Sequence, residues 1–319
     1  FYEDSICHVP RNVSIIGKGG VATTVKSRIF YHGVVGAWDL AKDKYLFQFA
    51  EDADGIEISG FTLDGNNHQA HAGILINKVK NIVVKNLIVK DFNFNGIWIA
   101  NSENLLVDNV FMSETSMPSS VSCAGMLMLG NATNAEIKNS RFINTTKEYG
   151  GYGIKTWNFQ WVTHRPTDVD NSKVELKNVN IHHNEFNLYP RGGWNNGASV
   201  NICVELYNSR LNECLIENNT FVGNLSMVGE NAPKAEFAAK VRNNQFLLST
   251  IDEGYQYAIE NDFSKVEIAN DYIQNGRYPV SSWHVGIVVD LNVHHNVFVR
   301  IMQPDGILLF SGAARNLTL

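Results

Sequence analysis

Proline is scarce in this chain of 319 residues, at 7, and cysteine scarcer still, at 4. Charged side chains make up 18% of it, which is low for a helical protein. No run of about eighteen apolar residues occurs, so no segment reads as a membrane-spanning helix. No 3.6-residue apolar period separates the strand-like stretches, which excludes alternating strands and helices. Positive charge is not in excess either. A net charge of −6 and a pI near 5.9 argue against a nucleic-acid partner. They leave room for an anionic sugar, because a cleft can be locally basic inside an acidic protein.

The cysteines, Cys7, Cys123, Cys203 and Cys214, show no CxxC spacing. They read as small buried hydrophobes rather than zinc ligands or a disulfide frame. Sequons such as Asn131-Ala-Thr133 and Asn218-Asn-Thr220 carry little weight in so Asn-rich a chain. The chain opens without an initiator Met or a signal-like segment and stops on Asn316-Leu-Thr-Leu319. It therefore reads as an excerpt, with a cap and a further coil expected outside it.

What the chain has in abundance is a repeat. An apolar strand, a turn and Asn-x-(Phe/Ile) return at Asn86-Leu-Ile88, Asn109-Val-Phe111, Asn184-Glu-Phe186, Asn219-Thr-Phe221, Asn244-Gln-Phe246 and Asn296-Val-Phe298. Ser140-Arg-Phe142 and Asp271-Tyr-Ile273 fill the same slot with the Asn replaced. A short strand often led by Gly follows each phrase, as in Gly73-Ile-Leu-Ile76, Gly96-Ile-Trp-Ile99, Gly125-Met-Leu-Met128 and Gly153-Ile-Lys-Thr156. A period of roughly 22–30 residues is that of a solenoid. The strands lack the Leu-x-x-Leu-x-Leu pattern of leucine-rich repeats, so the reading is a parallel β-helix. Recurring Asn amides would hydrogen-bond from rung to rung, and the Phe or Ile two residues on would stack in the lumen. The predicted fold is all-β, one right-handed parallel β-helix domain over 1–319, with about ten coils and long loops over the central rungs.

With its opening Asn12-Val-Ser-Ile-Ile-Gly17, the repeat from Arg11 onward resembles the pectate-lyase-like superfamily of right-handed β-helix proteins. That resemblance implies a carbohydrate-active protein, secreted or on the cell surface or in the periplasm. It does not reach a subgroup. The clustered Asp calcium site and Arg-Gly-x-x-Pro signature of pectate lyases are missing. So are the Asp-Pro-His-Asp of alginate epimerases and the Asn-Thr-Asp, Asp-Asp and Gly-His-Gly trio of polygalacturonases.

Segments 112–122, 157–173 and 187–201, with a lesser one at 229–236, are too long for simple turns. Long loops on a rigid solenoid commonly build a cleft. Trp157, His164, Arg165, Arg191 and Trp194 lie in them and suit sugar binding by stacking and hydrogen bonding. Strand alternation, anchored on Ile97 and Ile99 facing inward, gives an outward column Leu75, Trp98, Leu127, Lys155, Glu205, Ser226, Glu260, Ser281 and Leu308. A neighbouring column reads Asn77, Ala100, Leu129, Trp157, Tyr207, Val228, Asp262, Trp283 and Phe310. Polar residues gather in the middle rungs, bordered by Trp157, Tyr207 and Trp283.

Two rungs put Glu205 and Glu260 about 9–10 Å apart along the sheet. Carboxylates at roughly 6.5–9.5 Å suit inverting glycoside hydrolysis. Lys155, one rung from Glu205, would keep it ionised as the base, and Glu260 or Asp262 would donate the proton. Three outcomes stay open. One is a polysaccharide hydrolase without a cofactor. Another is a lyase acting on a uronic-acid glycan, with Lys155 as base, Arg191, Arg165 or His164 in support, and Ca²⁺ on Glu205, Glu260 and Asp262. The last is a non-catalytic glycan binder of the tailspike or adhesin kind. A Lys–Glu pair on adjacent rungs is also an ordinary cross-strand ion pair. The pairs His182-His183 and His294-His295 read as solvated turn residues rather than a metal site.

Overall fold

The computed structural model describes residues 2–3, 7–19, 23–27, 45–67, 70, 72–115, 125–145, 152–157, 173–188, 202–231, 234–248, 257–282, 287–301, 308–310 and 313–318. These residues form 32 strands and no helix. Almost all join one large parallel sheet in which each strand pairs with its counterparts one coil before and one coil after. The chain coils as a right-handed β-helix with three ladders. The first runs through Ala72–Asn77, Asn95–Ala100, Gly125–Leu129 and Tyr152–Thr156, and then through Ile202–Asn212, Asn224–Asn231, Tyr257–Asn261 and Tyr278–Ser282. The second includes Ala132–Lys138 and Val174–His182; the third includes Arg141–Asn144 and Glu185–Leu188.

The lumen is filled by Ile and Val from the first two ladders and by a column of rings from the third. Phe142, Phe186, Phe221 and Phe246 stack with centroids 4.9, 5.0 and 4.7 Å apart and planes within 7°. All four are fully buried. The spacing of coils in a parallel sheet, about 4.8 Å, is thus also the spacing of the rings. Each ring satisfies its neighbours above and below.

The buried amide ladder at the turn before these rings is present. Asn184 Nδ2 donates to Asn219 Oδ1 at 3.1 Å and to the Ile137 carbonyl at 2.9 Å. Asn219 and Asn244 repeat the arrangement one coil on each. Ser140 and Asp271 occupy the same slot, as their spacing implies.

Asn86 and Asn109 do not. They hold a left-handed backbone, φ 53° and 52°, at an exposed position equivalent to Asn139, with Asn109 Nδ2 donating to Asn86 Oδ1. Asparagine tolerates that region better than other non-glycine residues, since its short amide bonds locally. The phrase is therefore shifted by one in these two coils. Val89 and Met112 point into the lumen, while Ile88 and Phe111 are only half-buried.

The described cysteines follow the expected pattern in part. Cys203 and Cys214 are buried, Cys7 is half-buried, and Cys123 lies outside the described residues. Burial pushes the Cys214 thiol up to about 12. The histidine pairs do sit at turns, with His183 and His295 left-handed. They are less solvated than expected: His182 bonds Glu136 at 2.9 Å and His294 bonds Glu267 at 3.2 Å. The segment at 229–236 also begins as strand rather than loop, within Asn224–Asn231. Among the described residues no helix is long and apolar enough to cross a membrane.

Candidate functional site

Register along the first ladder brings the central polar residues together. Lys155 pairs with Glu205, Glu205 with Ser226, Ser226 with Glu260, and Glu260 with Ser281. Trp98 and Leu75 continue this column toward the N-terminus. Four members differ from expectation. Met128, not Leu127, stands beside Trp98 and Lys155, because Gly125 aligns with Tyr152 and not with Gly153. Leu129 pairs with Ile99 and Thr156, so Gly130 takes the place in the neighbouring column given to Leu129. Leu309, not Leu308, pairs with Ser281, and Phe310 therefore pairs with Ser282 and not with Trp283.

The face that carries the column is not open. Lys155 is 2% exposed, Glu205 8% and Glu260 5%, and Ser226, Asp262 and Trp98 are also buried. Tyr207 is the exception, at 44%. Its ring stacks on that of half-buried Trp157, 6.5 Å away at an interplanar angle of 15°. An aromatic edge thus adjoins a buried charged interior. His164, Arg165, Arg191, Trp194 and Trp283 lie outside the described residues.

Burying charge away from water is costly unless each group is paired and hydrogen-bonded. Lys155 Nζ forms a salt bridge with Glu205 Oε2. The same ammonium lies 3.9 Å from the Tyr152 ring centroid, 5.6 Å from Trp157 and 5.7 Å from Tyr207, on faces that attract cations. Glu260 Oε2 accepts from Ser226 Oγ at 2.6 Å, and the carboxylate also accepts from the Tyr257 phenol. Burial, then the charges of Glu260 and Glu205, hold the Tyr257 phenol well above its ordinary range, so it stays a donor. Asp262 Oδ1 accepts from Ser282 Oγ at 2.9 Å.

Tyr152, Tyr257 and Ser282 were not among the expected site residues. A signal for the tyrosines exists: Tyr stands three residues before Gln48, Lys155, Glu260 and Ser281, each in the outward column. Local packing makes room for it. At Gly153 a Cβ would lie 2.7 Å from the Cys203 carbonyl and 2.8 Å from the Phe186 ring, so only glycine lets the strand press against the lumen stack there.

The carboxylates do not converge as a cation site would require. Glu205 is turned to Lys155, Glu260 to Ser226 and Tyr257, and Asp262 to Ser282. Among the described residues no cluster of three or more His, Cys, Asp or Glu is arranged to hold a metal ion.

A family model described as "Right handed beta helix region" matches residues 47–246. The chain belongs to this right-handed β-helix family. No curated protein sequence matches it. Among solved structures, ORF18 of Geobacillus virus E2 is 12% identical over 98% of this chain and 51% of its own, with a TM-score of 0.52. A mutant tailspike protein of E. coli bacteriophage HK620, in complex with a hexasaccharide, is 10% identical over 96% of this chain and 57% of its own, at 0.52. A family 28 exopolygalacturonase of Yersinia enterocolitica is 12% identical over 98% and 70%, at 0.49. Such low identities establish a shared fold alone. The chain spans only about half the length of the two viral proteins.

Proposed function

We propose that this β-helix acts on a glycan and is a glycoside hydrolase whose paired carboxylates are Glu205 and Glu260. The observation that carries the reading is their place on one outward column, two rungs apart with Ser226 between, beside the Trp157–Tyr207 stack. Two rungs correspond to about 9–10 Å between backbones, within reach of the separation that leaves room for a water on an inverting path. The stacked rings offer a platform for the apolar face of a sugar. In this assignment Glu205, held by Lys155, activates water, and Glu260 or Asp262 protonates the leaving oxygen. A secreted, surface or periplasmic location and a single β-helix domain belong to the same proposal.

Lys155 is poorly suited to be a lyase base. Its Nζ is engaged by the Glu205 carboxylate and lies against three ring faces, and the residue is buried rather than presented to a substrate. The non-catalytic binder is the stronger rival, and burial favours it: both glutamates are almost sealed from solvent with their hydrogen bonds made internally. A binder would use the Trp157–Tyr207 edge and leave the acids as structure.

The test is Glu205→Gln and Glu260→Gln beside the unaltered protein, with reducing-sugar release measured on a glycan panel. Oligosaccharides of tailspike-ligand size come first, since one protein of the same fold holds a hexasaccharide. Loss of turnover in each variant, with the fold intact by circular dichroism, is expected. Retained turnover in both would sink the hydrolase. An unsaturated product would point to a lyase instead. Binding without turnover in the unaltered protein would leave a binder.

A further inference from the structure

Two rungs of the amide ladder are not amides, the hydroxyl of Ser140 and the carboxyl of Asp271, and the carboxyl is the one that lacks a donor in its ordinary ionised form. In Asn184, Asn219, Asn244 and Asn296 the side-chain nitrogen donates to a carbonyl of the preceding coil, at 2.9 Å in each case: Ile137, Ile181, Ile216 and Ile268 respectively. The side-chain oxygen meanwhile accepts the backbone N–H of the previous rung. Asp271 fills the rung between Asn244 and Asn296. Its Oδ1 does the oxygen's work, taking the Asn244 N–H at 2.7 Å and the Asn244 Nδ2 at 3.0 Å. Its Oδ2 stands where the four asparagine rungs have an NH₂. By register the carbonyl there belongs to Val241, which lies between Ile216 and Ile268. Oδ2 is buried and receives no hydrogen bond.

We propose that Asp271 is carried in the ladder as the neutral acid, its Oδ2–H replacing the amide donor, and that losing this proton weakens the coil bearing Glu260 and Asp262. Two acceptors facing each other in a buried turn repel, whereas an acid restores the donor–acceptor order that the rungs on either side show. The strand Tyr257–Asn261 and the rung at Asp271 belong to one turn of the helix, so the disturbance falls on that coil.

In keeping with that geometry, burial raises the Asp271 carboxyl to about 7, against the lowering effect of the two Asn244 donors. Charged and titratable groups on the packed elements are engaged elsewhere. Arg242 on the preceding coil bonds Glu217 at 2.7 Å. Glu267 on the same coil faces Lys240 at 3.7 Å and His294 at 3.2 Å. His295 on the next coil bonds His294, and the Tyr272 hydroxyl bonds Gln274.

Linkage sets the sign. Between the ordinary aspartate range near 3.8 and about 7, the folded state holds a proton that the unfolded chain has lost. Stability contributed by this proton is present at low pH and falls as pH rises through that window, levelling above it.

Asp271→Asn supplies the missing NH₂ in an isosteric side chain that four other rungs already use. Thermal unfolding of the variant and the unaltered protein is compared at pH 5 and pH 8.5. The expected result is a melting point several degrees higher for the variant at pH 8.5 and a clearly smaller rise at pH 5, where only about a third of that window has been crossed. An equal difference at both pH values, or none at pH 8.5, would overturn the proposal. A second measurement needs no variant: the carboxyl ¹³C shift of Asp271 in the native protein is expected to titrate near neutrality. A midpoint near 4 would overturn it as well. Neither readout depends on enzymatic activity, so the outcome stands apart from the hydrolase reading.

Discussion

Ser226 Oγ donates to Glu260 Oε2 at 2.6 Å across one rung of the first ladder. Hydroxyl and carboxylate belong to residues 2% and 5% exposed, so neither can exchange this bond for water. A bond of this kind holds a buried carboxyl in one orientation, whichever use the protein makes of it.

Removing the hydroxyl by Ser226→Ala should lower stability by about 1–3 kcal/mol, the range for leaving a buried polar group without its hydrogen bond. Urea unfolding monitored by tryptophan fluorescence measures it. A change of less than about 0.5 kcal/mol, the usual scatter of inconsequential substitutions, would show that the Tyr257 phenol alone suffices for Glu260.

Lys155 and Glu205 form a buried ion pair, and such pairs answer asymmetrically to mutation. Lys155→Met leaves a buried carboxylate without its cation and should cost about 3–5 kcal/mol. The double variant Lys155→Met/Glu205→Leu removes both charges and should recover most of that loss. A thermodynamic cycle over the four proteins tests it; a loss in the double variant equal to the sum of the two single losses would mean that the pair is not coupled.

The ring column makes a third prediction. Phe221 stacks on Phe186 and Phe246 and is fully buried, so Phe221→Ala should destabilise the protein by about 3–5 kcal/mol. Phe221→Leu should cost clearly less, since it refills most of the volume. Chemical unfolding of the two variants distinguishes a filled lumen from one that tolerates a void.

Much of this molecule is legible in its sequence. Two-residue alternation and the Asn-x-Phe spacing indicate the coil, the ring stack and the order Lys155, Glu205, Ser226, Glu260. Alternation fails where local chemistry is degenerate. Asn serves both the buried ladder and the exposed left-handed turn, so Asn86 and Asn109 look like Asn184 in sequence while sitting one residue out of step. Gly125 resembles Gly153 in its phrase, yet it pairs with Tyr152, and the outward residue moves from Leu127 to Met128. Tyr152 and Tyr257 escape notice because a tyrosine at a strand start reads as ordinary β propensity until its ring is seen beside a charge.

By itself the sequence determined the solenoid, its lumen and the axial order of the polar rungs. All three follow from a repeat that recurs along the chain, and nearest-coil pairing needs nothing more distant than the next repeat. Only the tertiary structure decided that the charged column is buried, that Lys155 is enclosed by rings and that Asp271 Oδ2 lacks a donor. Burial and hydrogen-bond satisfaction depend on atoms brought together across coils, and no single repeat carries that information.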